Sequence, residues 1–567
     1  MRVLAALAVT LAALVCCTSG ASAPVKPVSG YSAVAPPRPG GTVVLLDFEY
    51  PSTLNPLIAQ TDVELRLGGL LFVPLWGLDP KLRPYPDLAR QVPTLDNGGV
   101  RVARDGRSMT VDVKLVPGLR WSDGQPITAD DVIFTWRSIT DPATRGRLGY
   151  DRIRVMNRRS DTELVWTFEG LYPGYLQLGA RLFVMPAHRL EQVARSEWPG
   201  FFMRPDVVSG PFGVLEAAPA DHLVFAANPQ YTDGRAAQGA YTDGVAPFRH
   251  RPYLERVVFT TPAGKAAEVR ALAAGAADVG FHLLPDDLPD LQAIPGGALV
   301  VTTGLRDESL NPNHAVNRGT GQAPPWVDDP TVLQALDRVL DRTALVRELT
   351  AGAGRTARGV YPRALTDAAS LLPEHGDLDG ARRLLEAAGW APGRDGVRAK
   401  AGRRLEFSLV GICGRAGLDN ELDRLRRQWL PLGAAVTTGC QSRDAFLRLN
   451  EQGAFDMTLY SNQWAPDASA WAAVGGSGQP GNWNRCQDFA LDAALARGEA
   501  TLTVAARKAA YQDAEREWLR YRCTIPLFEV PEVRQISTRL RNFVPNPAAP
   551  DTWNAADWWL VPTGGSS

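Results

Sequence analysis

The sequence has almost no excess of either charge: 60 basic and 61 acidic residues leave a formal net charge of −1. Neutralising a phosphate backbone needs a clustered surplus of Lys and Arg, so nucleic-acid binding has no electrostatic support. Long apolar runs are also missing. After Val15 no stretch approaches the roughly 18 apolar residues of a membrane-spanning helix. Cysteine and histidine are scarce, six of each in 567 residues. The histidines (His188, His222, His250, His282, His314 and His375) form no HxH or HExxH spacing, and the cysteines form no CxxC. Neither a metal nor another cofactor is expected. No GxSxG elbow and no Walker loop occurs, which argues against a hydrolase or any other enzyme. No internal repeat is evident.

What is present is an ordinary globular composition, 45% hydrophobic and 21% charged. Its length exceeds the roughly 250–300 residues at which one core stops growing, so two or three packed units are expected. The first residues carry a distinct signal. Arg2 gives a positive start, and Val3 to Val15 is an apolar run of signal-peptide length. Leu14-Val15-Cys16-Cys17 resembles a bacterial lipobox, with Cys17 as the lipidated residue and Cys16 as the alternative. Cleavage after Ala21-Ser22-Ala23 is the competing reading. Residues 18–39 are rich in Ser, Ala, Gly and Pro and read as a flexible tether. The chain is thus expected to be exported and lipid-anchored on the outer face of the cytoplasmic membrane or in the cell envelope.

Four cysteines remain beyond that segment, an even count that favours disulfides in an exported protein. Residues 407–413 read as a strand, 417–430 as a helix and 434–440 as a second strand. A right-handed βαβ unit makes the two strands parallel neighbours, which predicts Cys413–Cys440. Cys486–Cys523 follows by elimination.

Other elements are legible. Residues 42–48 form an apolar strand, and residues 62–76 contain a helix or a strand-helix boundary. Asp105-Gly106 marks a hairpin turn. Met109, Val111, Val113 and Leu115 alternate as in a half-buried strand. Thr128 to Asp131 is a capping box for a helix carrying Val132, Ile133, Trp136 and Ile139. Asp329-Pro330 reads as an N-cap with proline at the first helical position. Further helices are expected at 379–388 and from Thr503 onward.

These stretches, in this order, resemble the family 5 extracellular solute-binding proteins, the oligopeptide- and dipeptide-binding group of ABC importers. Trp121-Ser-Asp-Gly124, Pro126, Thr128-Ala129, Asp131-Val132, Phe134 and Trp136 match the family's WSDG-to-FTW run. Residues 209–217, 228–234, 251–259, 268–281, 377–390 and 455–467 are similar to its later segments. The resemblance implies an α/β fold of the two-lobed periplasmic-binding-protein type (type II, cluster C). It also implies an extra subdomain beside lobe I and a two-stranded hinge. By motif order, 1–17 is the signal peptide with lipobox and 18–39 the tether. Lobe I takes 40–78, 205–308 and 525–562, the extra subdomain 79–204, and lobe II 309–524.

The implied partners are a short peptide, ABC permease subunits and the membrane through the lipid anchor, for a monomer. A related solute such as a metal chelate, haem, glutathione or a glycan is the alternative, as is a sensor role. The W-x-x-D segment Trp464-Ala-Pro-Asp467 implies that Asp467 meets the ligand's ammonium in the cleft. Asn462 and Gln463 precede it as polar contacts. Glu49 and Tyr50, which end the first strand, are further candidates, as are Trp483, Asn484 and Arg485. Arg485 could meet a ligand carboxylate, or the three could form a surface loop. Arg306 lies near the hinge and could be only an ion-pair partner. Trp121, Ser122, Asp123 and Trp136 read as core and turn residues.

Overall fold

A computed structural model describes residues 37–142, 149–231, 251–366, 370–467 and 471–561. The expected signal segment, Cys16, Cys17 and most of the tether lie outside the described residues. Among those described, no helix is long and apolar enough to cross a membrane.

The apolar run after Gly41 forms strand β1 (Thr42–Leu46). Helix α1 (Asp62–Leu71) starts at a reciprocal capping box of Thr61 and Glu64. The Glu64 carboxylate also accepts the N–H groups of Ser52 and Gln60, at 3.1 and 2.7 Å. One helix start therefore gathers the polar turn behind it. Strands β2 (Val100–Val102) and β3 (Ser108–Lys114) form a hairpin about Asp105-Gly106. Gly106 sits at φ +68°, where a side chain would be strained. Met109, Val111 and Val113 of β3 are buried.

Helix α2 (Ala129–Thr140) begins at the capping box of Thr128 and Asp131. The Asp131 carboxylate accepts from the Thr128 and Ala187 N–H groups (2.8 and 2.9 Å) and from the Trp121 indole (3.3 Å). Trp121 is fully buried. Trp136 packs on the same core and donates to the Tyr150 carbonyl at 3.1 Å. Strands β4 (Ile153–Ser160) and β5 (Glu163–Glu169) complete an antiparallel sheet of order β2-β3-β5-β4.

Strands β6 (Phe212–Ala218), β7 (His222–Ala227), β8 (Arg256–Thr260) and β9 (Val279–Leu283) join β1. The long β10 (Gly297–Pro312) then leaves this first core. Helix α3 (Thr331–Arg338) begins one residue later than expected, with Pro330 as its cap. A short helical turn at Pro325–Asp328 ends just before it. Asp329 is left extended, as a residue before proline tends to be, and its carboxylate accepts the Thr331 N–H at 3.1 Å.

Helix α4 (Leu378–Ala387) follows. Strand β11 (Glu406–Ile412), helix α5 (Leu418–Trp429) and strand β12 (Ala435–Gln441) form a β–α–β unit with parallel strands. Cys413 and Cys440, at the strand ends, are disulfide-bonded with Cα atoms 5.0 Å apart. Helix α6 (Arg443–Gln452) leads to β13 (Met457–Gln463). Helices α7 (Phe489–Glu499) and α8 (Val504–Tyr521) precede the long β14 (Ile525–Ser537). Cys486–Cys523 ties the loop before α7 to the residue preceding that last strand's entry.

The main sheet runs β12-β11-β13-β10-β14-β9-β1-β8-β7-β6. One large core packs β1, α1 and the β2–β5 unit with Trp558, and a second packs α3, α5, β11 and β13. The chain crosses between the cores along β10 and returns along β14. This is the two-lobed α/β architecture implied by the resemblance.

Candidate functional site

β10 leads from the first core to the second, and β13 runs antiparallel to it. β14 returns, and β9 runs antiparallel to that strand. β1 and β8 are aligned with β9, and β11 and β12 with β13. The carboxyl ends of both groups therefore point at one line across the middle of β10 and β14. Open α/β sheets bind ligands beyond the carboxyl ends of their strands, so this line is the candidate cleft. The ladder slips there. Between Thr303↔Pro531 and Asp307↔Glu529, β10 advances four residues and β14 two. Such a bulge bends the strands and re-aims side chains.

A network of buried charge lies behind this line. Asp307 is buried and accepts short hydrogen bonds from the Ser309 hydroxyl and the Trp464 indole, and one from Asn462 at 3.4 Å. Burial raises its pKa to about 7, against the pull of those donors. Glu308, on the opposite strand face, accepts from Arg415 at 3.0 Å and from the Ser461 hydroxyl at 2.6 Å. Arg415 also holds Glu421 at 2.5 Å. Burial, with Glu308 beside it, pushes Glu421 up to about 8. One guanidinium is thus shared between two buried carboxylates, and the Arg306 charge also acts on Glu308. Among the described residues, no group of three or more His, Cys, Asp or Glu is arranged to hold a metal ion.

Arg306 lies on the same strand face as Glu308, nearer the middle of the cleft. Its Nε donates to Gln463 Oε1 at 3.3 Å, and its Nη2 lies 3.7 Å from Asp62 of α1. It thus touches both lobes.

The residues expected at the site divide into three groups. Trp464 is a core residue: it is 7% exposed and packs edge-on against Tyr361, Trp471 and Trp518. Its indole orients Asp307. Asn462 is half-buried on the same carboxylate, and Gln463 is exposed beside Arg306. Asp467, four residues past the end of β13, is held by both Arg507 terminal nitrogens at 2.9 and 2.8 Å. Burial opposes the Arg507 charge, but the Asp467 carboxylate outweighs it and keeps the guanidinium firmly protonated. Burial raises the hydroxyls of Tyr172 and Tyr175 to about 12, and the Asp467 charge adds to both. The pair therefore lies near the segment that carries Tyr172 and Tyr175. The segment from Ala468, which Asp467 could cap, lies outside the described residues.

Asn484 and Arg485 differ from expectation. Arg485 donates to the carbonyls of Asn450 (3.3 Å) and Glu451 (2.9 Å) at the end of α6, and to Trp483 (2.5 Å). The last carbonyls of a helix lack partners and carry the negative end of its dipole, so a cation settles there. Gly453, at φ +70°, makes the room: a Cβ there would lie 2.4 Å from the guanidinium carbon. Arg485 is therefore a helix-end cap, with no guanidinium turned to a ligand carboxylate. Asn484 is buried and donates to Asn311 of β10 and to Thr524 just before β14, at 3.3 and 3.2 Å. It pins the two crossing strands. Trp483 is half-buried, with its ring 6.3 Å from that of Tyr460.

On the first core's side, β1 ends at Leu46, so Glu49 and Tyr50 stand on the turn beyond it. Glu49 is half-buried. Tyr50 packs on Phe259 with ring centres 6.4 Å apart, and its buried hydroxyl has no hydrogen-bond partner among the described residues. Burial and the Asp221 charge raise its pKa. The exposed Phe48 and Leu284 extend this wall as an apolar rim.

Sequence reasoning missed Asp307, Glu308, Arg415 and Glu421. One signal was available: Arg306-Asp-Glu-Ser309 places successive polar residues inside what must be a buried strand. Reading it as a network needed partners more than 100 residues away.

Residues 83–483 match the sequence profile of the bacterial extracellular solute-binding proteins, family 5, middle region. The chain is 29% identical over 370 residues to Protein XP55 of Streptomyces lividans, covering 64% of this chain and 60% of that protein. It is 26% identical over 421 residues to the oligopeptide-binding protein AppA of Bacillus subtilis (strain 168), covering 71% and 69%. The solved structure of AppA in complex with a nonapeptide aligns at TM-score 0.70 and 19% identity, over 93% of this chain and 100% of that one. The periplasmic EDTA-binding protein EppA aligns at 0.76 and 17%, over 94% and 98%. At these identities the two structures speak to the fold alone.

Proposed function

The chain belongs to the bacterial extracellular solute-binding proteins of family 5, and from that premise we propose that it captures a short peptide between its lobes and delivers it to the permease of an ABC importer. The observation that carries this reading is the convergence of both sets of strand ends on a line crossed, among the strands of the described residues, only by β10 and β14. The likeness to AppA favours a peptide as the solute. Ligand contacts to both walls draw the lobes together, with the bend at the register slip of β10.

Gln463, Asn462 and Trp483 supply lobe II contacts, and Asp467 contributes charge at the edge. Trp464 acts by holding Asp307, and Asn484 and Arg485 by fixing the loop that presents Trp483. Glu49 and the Tyr50 hydroxyl face the ligand from lobe I. Lobe I comprises 40–78, 205–308 and 525–562, with 79–204 as the extra subdomain and 309–524 as lobe II. The exported monomer is tethered through residues 18–39 and lipidated at Cys17, or at Cys16. It performs no chemistry on its ligand.

Native mass spectrometry of the purified protein, with calorimetry on a mixed di- to octapeptide panel, tests the reading. Peptide retention with a decrease in radius of gyration is expected. No binding by any peptide, with a chelate or glycan retained instead, would move the ligand to another class and sink the peptide reading.

A further inference from the structure

We propose that Cys413–Cys440 is a thiol–disulfide exchange site that sets the grip of the second lobe: a dithiol reductant opens the bond, and opening it weakens ligand capture. The loss of affinity rests on the peptide-capture reading, whereas the opening of the bond and its effect on β10 do not.

The two disulfides differ in access. Cys486 and Cys523 are 3% and 2% exposed and lie in one core cluster with Trp464, Trp471 and Trp518. An incoming thiolate reaches sulfur there only after local opening. Cys413 and Cys440 are both exposed. They stand at the carboxyl ends of β11 and β12, and β12 is the outermost strand of its side of the main sheet. Exchange depends on access to sulfur, so this bond reacts first.

What the bond holds in place is a cation. Cys413 begins the loop from β11 to α5, and Arg415 stands two residues on. Besides the disulfide, the Cys413 N–H ties the start of this loop to the Gln441 carbonyl of β12 at 2.8 Å. Arg415 reaches Glu308 of β10 at 3.0 Å and Glu421 of α5 at 2.5 Å. Glu308 Oε1, Glu421 Oε1 and Arg415 Nε are buried with no hydrogen-bond partner among the described residues. The cluster therefore depends on where this guanidinium stands. Glu308 otherwise accepts from the Ser461 hydroxyl at 2.6 Å and feels the Arg306 charge. In the β10–β13 ladder Glu308 pairs with Ser461, next to Asn462 and Gln463. Against β14 it lies between two register slips. One cation, placed by one exposed bond, thus steadies both the crossing strand and the strand that offers polar contacts to the ligand.

The exchange balances between the site and its reductant. A thiolate of the dithiol attacks one sulfur, the Cys413–Cys440 bond breaks and a mixed disulfide forms. The second thiol of the reductant then displaces the first, and the reductant leaves as a disulfide. Two electrons and two protons pass to Cys413 and Cys440, which end as thiols. Without the crosslink the loop end parts from β12 and draws Arg415 off its carboxylates. A buried carboxylate that loses its cation is costly, so β10 and β13 loosen around Glu308 and the lobes hold a ligand less tightly.

The test uses the full chain, graded dithiothreitol and iodoacetamide, with the alkylated cysteines located by peptide mass. Cys413 and Cys440 are expected to label at least about tenfold faster than Cys486 and Cys523. Where dithiothreitol opens the first pair alone, hydrogen exchange of residues 305–312 should quicken. Affinity for a random pentapeptide library, read by calorimetry, should fall about five- to fiftyfold. Reoxidation should restore both. Replacing Cys413 and Cys440 together by Ala should reproduce the reduced protein. Arg415→Gln should show the same loss while oxidised and no further response to dithiothreitol. If that variant does not fold, the reversible response of the unaltered chain decides alone. Labelling of all four cysteines at one rate would overturn the inference. Selective opening with unchanged affinity would overturn it too, leaving a stabilising crosslink that shows only as a lower unfolding midpoint on reduction. Retention of no peptide by either form would instead overturn the peptide reading, and the exchange of residues 305–312 would still decide whether the bond controls β10.

Discussion

Two stretches of this molecule solve the same local problem with opposite reach. In residues 121–136 the Trp121 indole donates to Asp131, ten residues away, and that carboxylate also caps its own helix. In residues 457–467 the Trp464 indole donates to Asp307, across 157 residues and on the crossing strand. Asp131 receives two backbone N–H groups that oppose the rise caused by burial. Asp307 has only side-chain donors and is pushed to about 7. The first arrangement is a self-contained piece of packing. The second ties the residue after β13 to the strand that crosses between the cores, so its geometry depends on how distant segments pack. The most recognisable motif is accordingly packing, while the network around Asp307 joins the W-x-x-D segment to a strand with no motif of its own.

The largest expected effect tests the structural half of that contrast. Trp121→Ala empties a fully buried site and should cost about 3–5 kcal/mol in denaturant unfolding, with ligand affinity of the folded fraction unchanged. A loss of affinity without a loss of stability would break the comparison.

The next prediction concerns pH. The folded pKa of Asp307 lies above its ordinary value of 3.8. The folded state holds the proton more tightly, so this group's contribution is fully present below about pH 4 and is lost as pH rises through about 7. In Asp307→Asn, Oδ1 can still accept the Trp464 indole. The variant should flatten the stability profile between pH 4 and 8, by up to about 4 kcal/mol. An equal slope in both proteins, measured from urea midpoints across that range, would count against a buried titrating Asp307.

A third measurement separates the regions by their crosslinks. No cysteine falls between residues 18 and 412, whereas the second lobe has two disulfides. Replacing Cys413 and Cys440 together by Ala opens a sequence separation of 27 and should cost about 3 kcal/mol. The loss should appear in hydrogen exchange of β11 and β12 and not in that of β3 and β5.

The smallest effect sharpens the same point. Thr128→Ala removes one side of a capping box and should cost about 1 kcal/mol, confined to α2. Spread of that loss to the second lobe would show coupling that the contact pattern does not suggest.

Much of the fold was legible because its signals are short-range. The Thr128–Asp131 box, the Asp105-Gly106 turn and the alternating β3 each depend on residues within a few positions. The Cys413–Cys440 bond followed from one β–α–β unit. The helix start after Asp329 was misplaced by one residue because a short turn at 325–328 competes for the same ground. At the site, the sequence located the Trp464–Asp467 segment but not the state of its groups. It left Arg485 open between a ligand carboxylate and a surface loop, and its guanidinium meets the α6 carbonyls.

By itself, then, the sequence determined the family, the element order and the local caps, turns and crosslinks, since each is set by neighbours in the chain. Only the tertiary structure decided which charges are engaged. Asp467 meets Arg507, Glu308 meets Arg415, and Arg306 reaches both Gln463 and Asp62. Charge pairing is a matter of distance in space and of burial, and both are fixed by how β10 and β14 bring distant segments together.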